Sequence, residues 1–216
     1  MQWPLLLLIA SPLAGAFLGF DAAASMTKGK LVCMRETKYE FFIGRVWKGT
    51  GNFDNIGMSN IRLAHEAEMP YVDGFFEPCL SFSCAKPANQ LEATINKLRS
   101  TGTKIGDLWI VVESDSTPWP SDQAKNQQTL LDLVAMAKSM GQGVGIYTNY
   151  EYWNNVVGDW SGCSHIGLWW KSRGGFQDFN DFTWFGGWMK PSIRQYTGTV
   201  GGPCGFSIDR NWYPDA

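Results

Sequence analysis

Residues 108–113, Leu-Trp-Ile-Val-Val-Glu, form a short apolar run that ends on an acid. A run of this length and composition is typical of a strand buried inside a parallel sheet. Apolar residues at helical spacing flank it, namely Leu91, Ile95 and Leu98 before it and Leu130, Val134 and Ala137 after it. A strand between two amphipathic helices is the repeating unit of an α/β fold. We expect Ser121 to cap the helix that follows the strand.

The same alternation extends along the chain in both directions. Strands that are each followed by a helix are predicted at 17–22, 41–47, 71–77, 108–113 and 144–148. After Tyr150 the sequence is crowded with Gly, Trp and Phe, so helices are predicted to stop there. Short strands remain near Leu168, Ile193 and Ile208. Five strand-helix units followed by three strands predict a modified TIM-type α/β barrel, shorter than the usual barrel of roughly 250 residues.

The overall composition fits one ordinary globular domain. The chain has 216 residues, of which 44% are hydrophobic and 18% are charged, and no repeat or linker divides it. Its 18 basic and 20 acidic residues form no run of one sign, which argues against nucleic acid or an anionic membrane as a partner. We expect a monomer. No phosphate-binding or dinucleotide-binding loop is complete, so no cofactor is expected.

The amino-terminal segment predicts export. Residues 1–16 carry no charged side chain, contain the apolar run 5–10 and end on small residues, which is typical of a signal peptide cleaved after Ala16. The mature domain would then span 17–216. The apolar run is too short to cross a bilayer. The alternative is a buried first strand without processing, but we favour export, either out of the cell or into the lumen of an acidic vacuole.

The cysteines are expected to form disulfides in such an oxidising compartment; they are Cys33, Cys79, Cys84, Cys163 and Cys204. Cys79 and Cys84 bracket a short loop, whereas a bond between Cys33 and Cys204 would tie the two ends of the chain together. The sequence leaves these pairings open, with Cys163 as the candidate for the odd thiol. A zinc site is not expected, because the chain has only 2 histidines and lacks two pairs of closely spaced cysteines.

Acidic residues fall at the ends of predicted strands. Asp21 ends the first strand, Glu113 the fourth and Asp209 the last, while Asp73 lies within the third. In a parallel barrel the carboxyl ends of the strands meet at one mouth, so these acids are expected to cluster. One protonated acid beside ionised neighbours suits protonation of a leaving oxygen, and the many Trp and Tyr rings near the strands suit stacking on sugars. For any one acid alone, capping a turn or pairing with Lys or Arg is an equally good interpretation.

Several segments, in this order and spacing, resemble glycoside hydrolase family 25, the Chalaropsis-type lysozymes, and within it the secreted branch from nematodes and amoebae. The segments are Gly19-Phe20-Asp21, Gly44-Arg45-Val46-Trp47, Asn126-Gln127-Gln128, Gly145-Ile146-Tyr147-Thr148, Leu168-Trp169, Phe185-Gly186-Gly187-Trp188-Met189-Lys190-Pro191, Gln195-Tyr196 and Ile208-Asp209-Arg210-Asn211-Trp212-Tyr213-Pro214. Each is weak alone, but together they cover the whole predicted mature chain. The resemblance implies a barrel of five strand-helix units followed by three strands, in agreement with the pattern above.

The resemblance also implies an activity. It implies hydrolysis of the β-1,4 bond between N-acetylmuramic acid and N-acetylglucosamine in bacterial peptidoglycan, with retention and without a metal, in antibacterial defence or digestion. Glu113 matches the family's acid, and Asp21 and Asp209 match its flanking carboxylates at the mouth. Side chains in the matching segments are expected to bind the glycan; these are Tyr147, Trp169, Gln195, Tyr196 and Asn211.

One position departs from the family pattern. The family's Asp-x-Glu motif on the fourth strand reads Val111-Val112-Glu113 here. Strand side chains alternate, so positions 111 and 113 point to the same side about 6.6 Å apart, and this chain keeps one carboxylate where the family pairs two. Valine cannot support a positive anomeric carbon. Three interpretations remain: a slow lysozyme relying on Asp21 or Asp209, a noncatalytic glycan-binding protein, or an enzyme for a related amino sugar polymer such as chitin.

Other residues near the predicted mouth also bear on the activity. Trp170 and Lys171 stand where the family more often has Tyr and a small residue, which suggests a shift in specificity. Asp115 is two positions from Glu113 and would point to the same side of a strand, but it is expected to lie beyond the strand end. The formal net charge of -2 does not favour electrostatic capture of anionic walls at neutral pH, so we expect any activity to be highest in acid.

Overall fold

A closed barrel forms the centre of this computed structural model, which describes residues 15–115 and 118–215. In those ranges the strands are β1 Ala16–Asp21, β2 Tyr39–Lys48, β3 Asn52–Phe53, β4 Tyr71–Phe76, β5 Asp107–Val111, β6 Gly143–Thr148, β7 Gly167–Lys171, β8 Ile193–Gly201 and β9 Ser207–Pro214. The helices are α1 Lys28–Glu36, α2 Asn55–Glu66, α3 Pro87–Ser100, α4 Gln123–Ser139 and α5 Tyr150–Val157.

The barrel closes because β1 pairs with a strand on each side. It runs parallel to β2 and antiparallel to β9. The neighbours from β2 through β4, β5, β6 and β7 to β8 are all parallel, and β9 returns antiparallel to β8. The short β3 pairs only with the end of β2. The predicted barrel of five strand-helix units followed by three strands is therefore confirmed.

The last helix corrects one prediction. Helices do not stop at Tyr150, because α5 begins there and continues to Val157. The side chain of Asn149 caps this helix by accepting a hydrogen bond from the backbone N–H of Tyr152. Between residues 158 and 215 no further helix follows.

The apolar faces predicted for α3 and α4 are buried in the core between the barrel and its helices; their residues are Leu91, Ile95, Leu98, Leu130, Val134 and Ala137. The predicted cap of α4 was wrong by one residue. Asp122 directly precedes the first helical residue, and its carboxylate accepts a hydrogen bond from the Lys125 N–H at 3.0 Å. Ser121 lies one residue too early to make that bond.

Alternate strand residues fill the inside of the barrel with large side chains. The buried cluster there contains Phe41, Ile43, Trp109, Val111, Tyr147, Trp169 and Ile193. Glycines make room for two of the rings: a Cβ at Gly145 would lie 2.3 Å from the Trp109 ring, and one at Gly19 would lie 2.2 Å from the Phe41 ring. Because the interior is filled, a ligand has to bind at an end of the barrel, and the carboxyl ends of the parallel strands are the expected place.

The predicted leader lies almost wholly outside the described residues. Residues 1–14 are not described, Gly15 precedes β1 and Ala16 is its first residue. Cleavage after Ala16 therefore stays a prediction. Among the described helices, none has the length and apolar character needed to cross a membrane.

Disulfides join the cysteines in the predicted pairs. Cys33 in α1 bonds to Cys204 in the turn between β8 and β9, with a Cα–Cα distance of 6.0 Å and a sequence separation of 171. Cys79 and Cys84 close the loop after β4, with a separation of 5. Cys163 is a buried free thiol. The long-range bond fastens the first helix to the last hairpin, and so supports the closure of the barrel.

Loss of the long-range disulfide should destabilise the protein more than loss of the short one. Loop-closure entropy grows with the length of the closed loop, so Cys33→Ala with Cys204→Ala should cost roughly 3 to 5 kcal/mol of unfolding free energy. The matched pair Cys79→Ala with Cys84→Ala should cost no more than about 2 kcal/mol. Urea unfolding of both double variants measures the difference, and equal losses would contradict the proposed role of the long-range bond.

Candidate active site

A cleft of about 370 Å³ opens at the carboxyl ends of the parallel strands. Six of the predicted site residues line it, namely Asp21, Glu113, Tyr147, Trp169, Gln195 and Asp209. Glu113 lies two residues beyond the end of β5, and Val111, the last residue of that strand, lines the same cleft. The structure thus brings together three carboxylates from the first strand, the middle of the chain and the last strand.

Asp21 and Asp209 are direct partners across the antiparallel β1–β9 pair. Two amide side chains donate to them. Gln195 Nε2 lies 3.0 Å from Asp21 Oδ1 and 3.4 Å from Asp209 Oδ2, and Asn211 Nδ2 lies 2.7 Å from Asp21 Oδ1. These donors partly offset the repulsion between the two carboxylates.

Two aromatic side chains fix the orientation of these amides. Tyr147 donates its hydroxyl to Gln195 Oε1 at 2.8 Å, and Trp169 donates its indole N–H to Asn211 Oδ1 at 2.8 Å. Since each amide oxygen is thereby occupied, each NH2 group has to face the carboxylates. Asn211 is fully buried beneath the cleft, so it orients Asp21 and does not face a ligand directly.

Burial changes the protonation of the Asp21–Asp209 pair. Removal from water, aided by the negative charge of Asp209, raises the pKa of Asp21 to about 7, although the hydrogen bonds from Asn211 and Gln195 oppose the rise. Burial also raises the pKa of Asp209, while Thr199 and the nearby cations oppose that rise. The pair therefore retains a proton in mildly acidic solution.

Glu113 is bound to a cation inside the cleft. Lys171, the last residue of β7, places Nζ 2.6 Å from Glu113 Oε2, and both side chains are almost wholly buried. The ammonium group also lies 4.9 Å from the centre of the Tyr152 ring. Sequence reasoning noted Lys171 as unusual but did not foresee this ion pair.

The loop after β4 contributes a further carboxylate to the cleft that sequence reasoning missed. Glu77 follows β4 and lies 3.4 Å from Arg45 Nη1. Arg45 in turn bonds to Asp54 at 2.7 Å, and Asp54 caps α2. Burial raises the pKa of Glu77, and Arg45 opposes this. Side chains two positions apart in a strand point to the same side. Glu77 is two residues from Phe75, which also lines the cleft, so strand alternation could have predicted its place.

Other residues singled out from the sequence lie elsewhere. Asp73 is near the start of β4, at the opposite end of the barrel, where it accepts hydrogen bonds from the Trp109 indole and the Asp107 N–H, both at 2.9 Å. Tyr196 points away from the cleft, because it alternates with the inward Gln195, and its hydroxyl accepts a hydrogen bond from Gln177 at 3.0 Å. Asp115 accepts a hydrogen bond from the Tyr152 hydroxyl.

The cleft does not resemble a metal centre. In residues 15–115 and 118–215, no group of three or more His, Cys, Asp or Glu side chains is arranged to hold a metal ion. The cleft holds carboxyl groups and cationic side chains next to the half-buried aromatic ring of Phe75. These groups suit proton transfer and stabilisation of a positive charge on a polar ligand.

A family model described as "Lysozyme-like protein 1" matches residues 13–196 of the chain. Lysozyme-like protein 5 from Caenorhabditis elegans is 38% identical over 210 residues, which cover 97% of each chain. Probable GH family 25 lysozyme 4 from Dictyostelium discoideum is 36% identical over 200 residues, which cover 93% of this chain and 92% of the relative.

A solved structure shares the fold at low sequence identity. It is the modular autolysin LytC from Streptococcus pneumoniae in complex with a synthetic peptidoglycan ligand, with a TM-score of 0.72 and 15% identity. The match covers 92% of this chain and 47% of the autolysin. The shared part is the barrel described above.

The raised pKa of Asp21 predicts how the free energy of unfolding depends on pH. Folded protein keeps the Asp21 proton between about pH 4 and about pH 7, where the unfolded chain has lost it, so this site lowers the unfolding free energy as the pH rises through that window. Asp21→Asn cannot ionise and keeps an oxygen for the two amide donors. The variant should therefore be more stable than the parent by about 1–3 kcal/mol near pH 7.5, with no difference near pH 4.

Urea unfolding at both pH values measures this difference. The matched control is Asp132→Asn on the exposed side of α4, which should follow the pH profile of the parent. A stability difference between Asp21→Asn and the parent that is the same at both pH values would contradict the prediction.

Proposed function

This chain belongs to the lysozyme-like proteins of glycoside hydrolase family 25, and we propose that it hydrolyses the β-1,4 bond between N-acetylmuramic acid and N-acetylglucosamine in bacterial peptidoglycan. The observation that carries the proposal is the convergence of Asp21, Glu113 and Asp209 on one cleft at the barrel mouth. Burying several carboxylates together is costly, and a protein tolerates it where chemistry uses them.

The proposed roles follow from the geometry. Glu113 gives a proton to the leaving glycosidic oxygen, and Asp21 and Asp209 face the sugar whose anomeric carbon becomes positive. Because this pair retains one proton in mildly acidic solution, it also keeps one negative charge that can support the developing cation. Val111 offers no such support.

Binding of the glycan draws on both polar and aromatic groups. Tyr147 and Trp169 line the cleft but are almost wholly covered, and their polar atoms are used to orient amides. Phe75 is half-buried, so its ring offers a better surface for stacking on a sugar. The peptidoglycan ligand in the autolysin of the same fold supports the choice of substrate.

The setting we propose is outside the cell or in an acidic vacuole, where the enzyme would act as a monomer in antibacterial defence or digestion. Two disulfides support an oxidising compartment. The predicted signal peptide at residues 1–16 belongs to the same proposal. No cofactor is included, because acid catalysis by carboxylates needs none.

A noncatalytic glycan-binding protein is the second candidate. Two observations favour it, namely the apolar Val111 at the floor of the cleft and the ion pair between Glu113 and Lys171. Val111 leaves the cleft without the second carboxylate of the family motif, and Lys171 engages the Glu113 carboxylate in an ion pair. In such a protein the cleft would hold the glycan without cutting it.

Glu113→Gln should remove activity if the chain is an enzyme. An amide cannot donate the required proton, so clearing of bacterial cell walls should slow by at least about a hundredfold. The matched control is Glu92→Gln on the exposed side of α3, which should clear walls at the parental rate. Equal activity of Glu113→Gln and the parent would show that Glu113 is not the acid.

Val111→Asp tests the two candidate functions against each other. If the parent is an enzyme limited by its missing carboxylate, this variant should release reducing sugar at least about ten times faster. Val111→Asn has a similar size without the charge and should give no gain. A parent that cuts nothing beside a Val111→Asp variant that cuts would contradict the enzyme candidate and favour the noncatalytic one.

A further inference from the structure

Lys171 forms a shielded ion pair with the proposed acid. Its Nζ lies 2.6 Å from Glu113 Oε2, and the two side chains are only 11% and 12% exposed. The ammonium group is further enclosed by the Tyr152 ring at 4.9 Å and the Tyr147 ring at 6.0 Å. A pair enclosed in this way is weakly screened by water and salt, unlike a bridge on the open surface.

The ion pair opposes the task proposed for Glu113. A carboxyl group can donate a proton to a leaving oxygen only while it carries that proton. A cation in direct contact favours the charged carboxylate over the neutral acid. Removing one partner of an enclosed pair would therefore change the protonation of the other much more than at an exposed site.

Other charged side chains in the cleft surround the pair of Glu113 and Lys171. The titratable or charged side chains that face the pair from the surrounding elements are Asp21, Arg45, Glu77, Asp115, Tyr147, Tyr152, Arg173 and Asp209. The carboxylates among them carry the same charge as Glu113, whereas Lys171 is a cation in ion-pair contact with it. Lys171 is thus the side chain best placed to decide the balance.

We infer that Lys171 is a positioning residue which holds Glu113 as a carboxylate at neutral pH and so confines hydrolysis to acidic solution. This inference rests on the proposed function. Acid, or a substrate group that draws Lys171 away, releases Glu113 to take up the proton that it then transfers to the glycosidic oxygen. The residue acts through Glu113 and need not touch the bond that breaks.

Two variants of Lys171 test the inference by their pH profiles. Lys171→Met keeps the length of the side chain without its charge, and the ratio of its kcat near pH 7.5 to its kcat near pH 5 should exceed that of the parent by at least about tenfold. Lys171→Arg keeps the charge and should keep the parental ratio. A role in packing alone would change kcat equally at both pH values, and an unchanged ratio in Lys171→Met would overturn the inference.

A second measurement does not depend on activity. Carbon-13 labelled glutamate side chains report their protonation by NMR, and loss of one signal in Glu113→Gln identifies Glu113. In Lys171→Met that signal should change from charged to neutral at a pH at least about one unit higher than in the parent, and the other glutamate signals verify folding. If the parent cuts no glycan at any pH, the proposed function fails, yet an unmoved Glu113 signal still overturns the role of Lys171 and a moved one supports it.

Discussion

Closure of the sheet by the β1–β9 pair is the constraint on which the cleft depends. It sets Asp21 opposite Asp209, although the two residues come from opposite ends of the described chain. The same pairing brings Asn211 within 2.7 Å of Asp21. Large rings fill the barrel below, so the polar groups of the cleft lie at the mouth. A change that opened this seam would separate the carboxylates even if every side chain were kept.

The cleft holds its charges by distributing them among different kinds of partner. Amides hold Asp21, an arginine lies against Glu77, and a lysine lies against Glu113. The partners differ in kind: the amides donate hydrogen bonds to Asp21 without adding a charge, and burial still raises the pKa of Asp21, whereas Lys171 places a cation in contact with Glu113. A protein can in this way place several acids in one pocket and still give them different tasks.

Much of the fold and part of the cleft could be predicted from the sequence. Strands with a clear apolar pattern and the acids at their ends were found, because strand order and alternation are local properties that a parallel barrel converts into proximity. Five strand-helix units are predicted, but the position of the fifth helix is not, because the aromatic residues of α5 resemble the irregular sequence around it, although Asn149 before it and Gly158 after it, at φ 73°, are ordinary end signals. Tyr196 directly follows Gln195 in β8, so the alternation of strand side chains already predicts that the two point to opposite sides of the sheet. The contact between Lys171 and Glu113 depends on side-chain geometry across 58 positions, which no local pattern contains.

The bond between Cys33 and Cys204 joins the first helix to the last hairpin across 171 positions of the chain. Bringing together two positions this far apart costs much loop-closure entropy. Once formed, the bond removes that entropy from the unfolded state, and a chain that ended before residue 204 would lack one of the two sulfurs and this stabilisation. Cys163 is buried in the folded protein, so its free thiol is shielded from exchange with this bond.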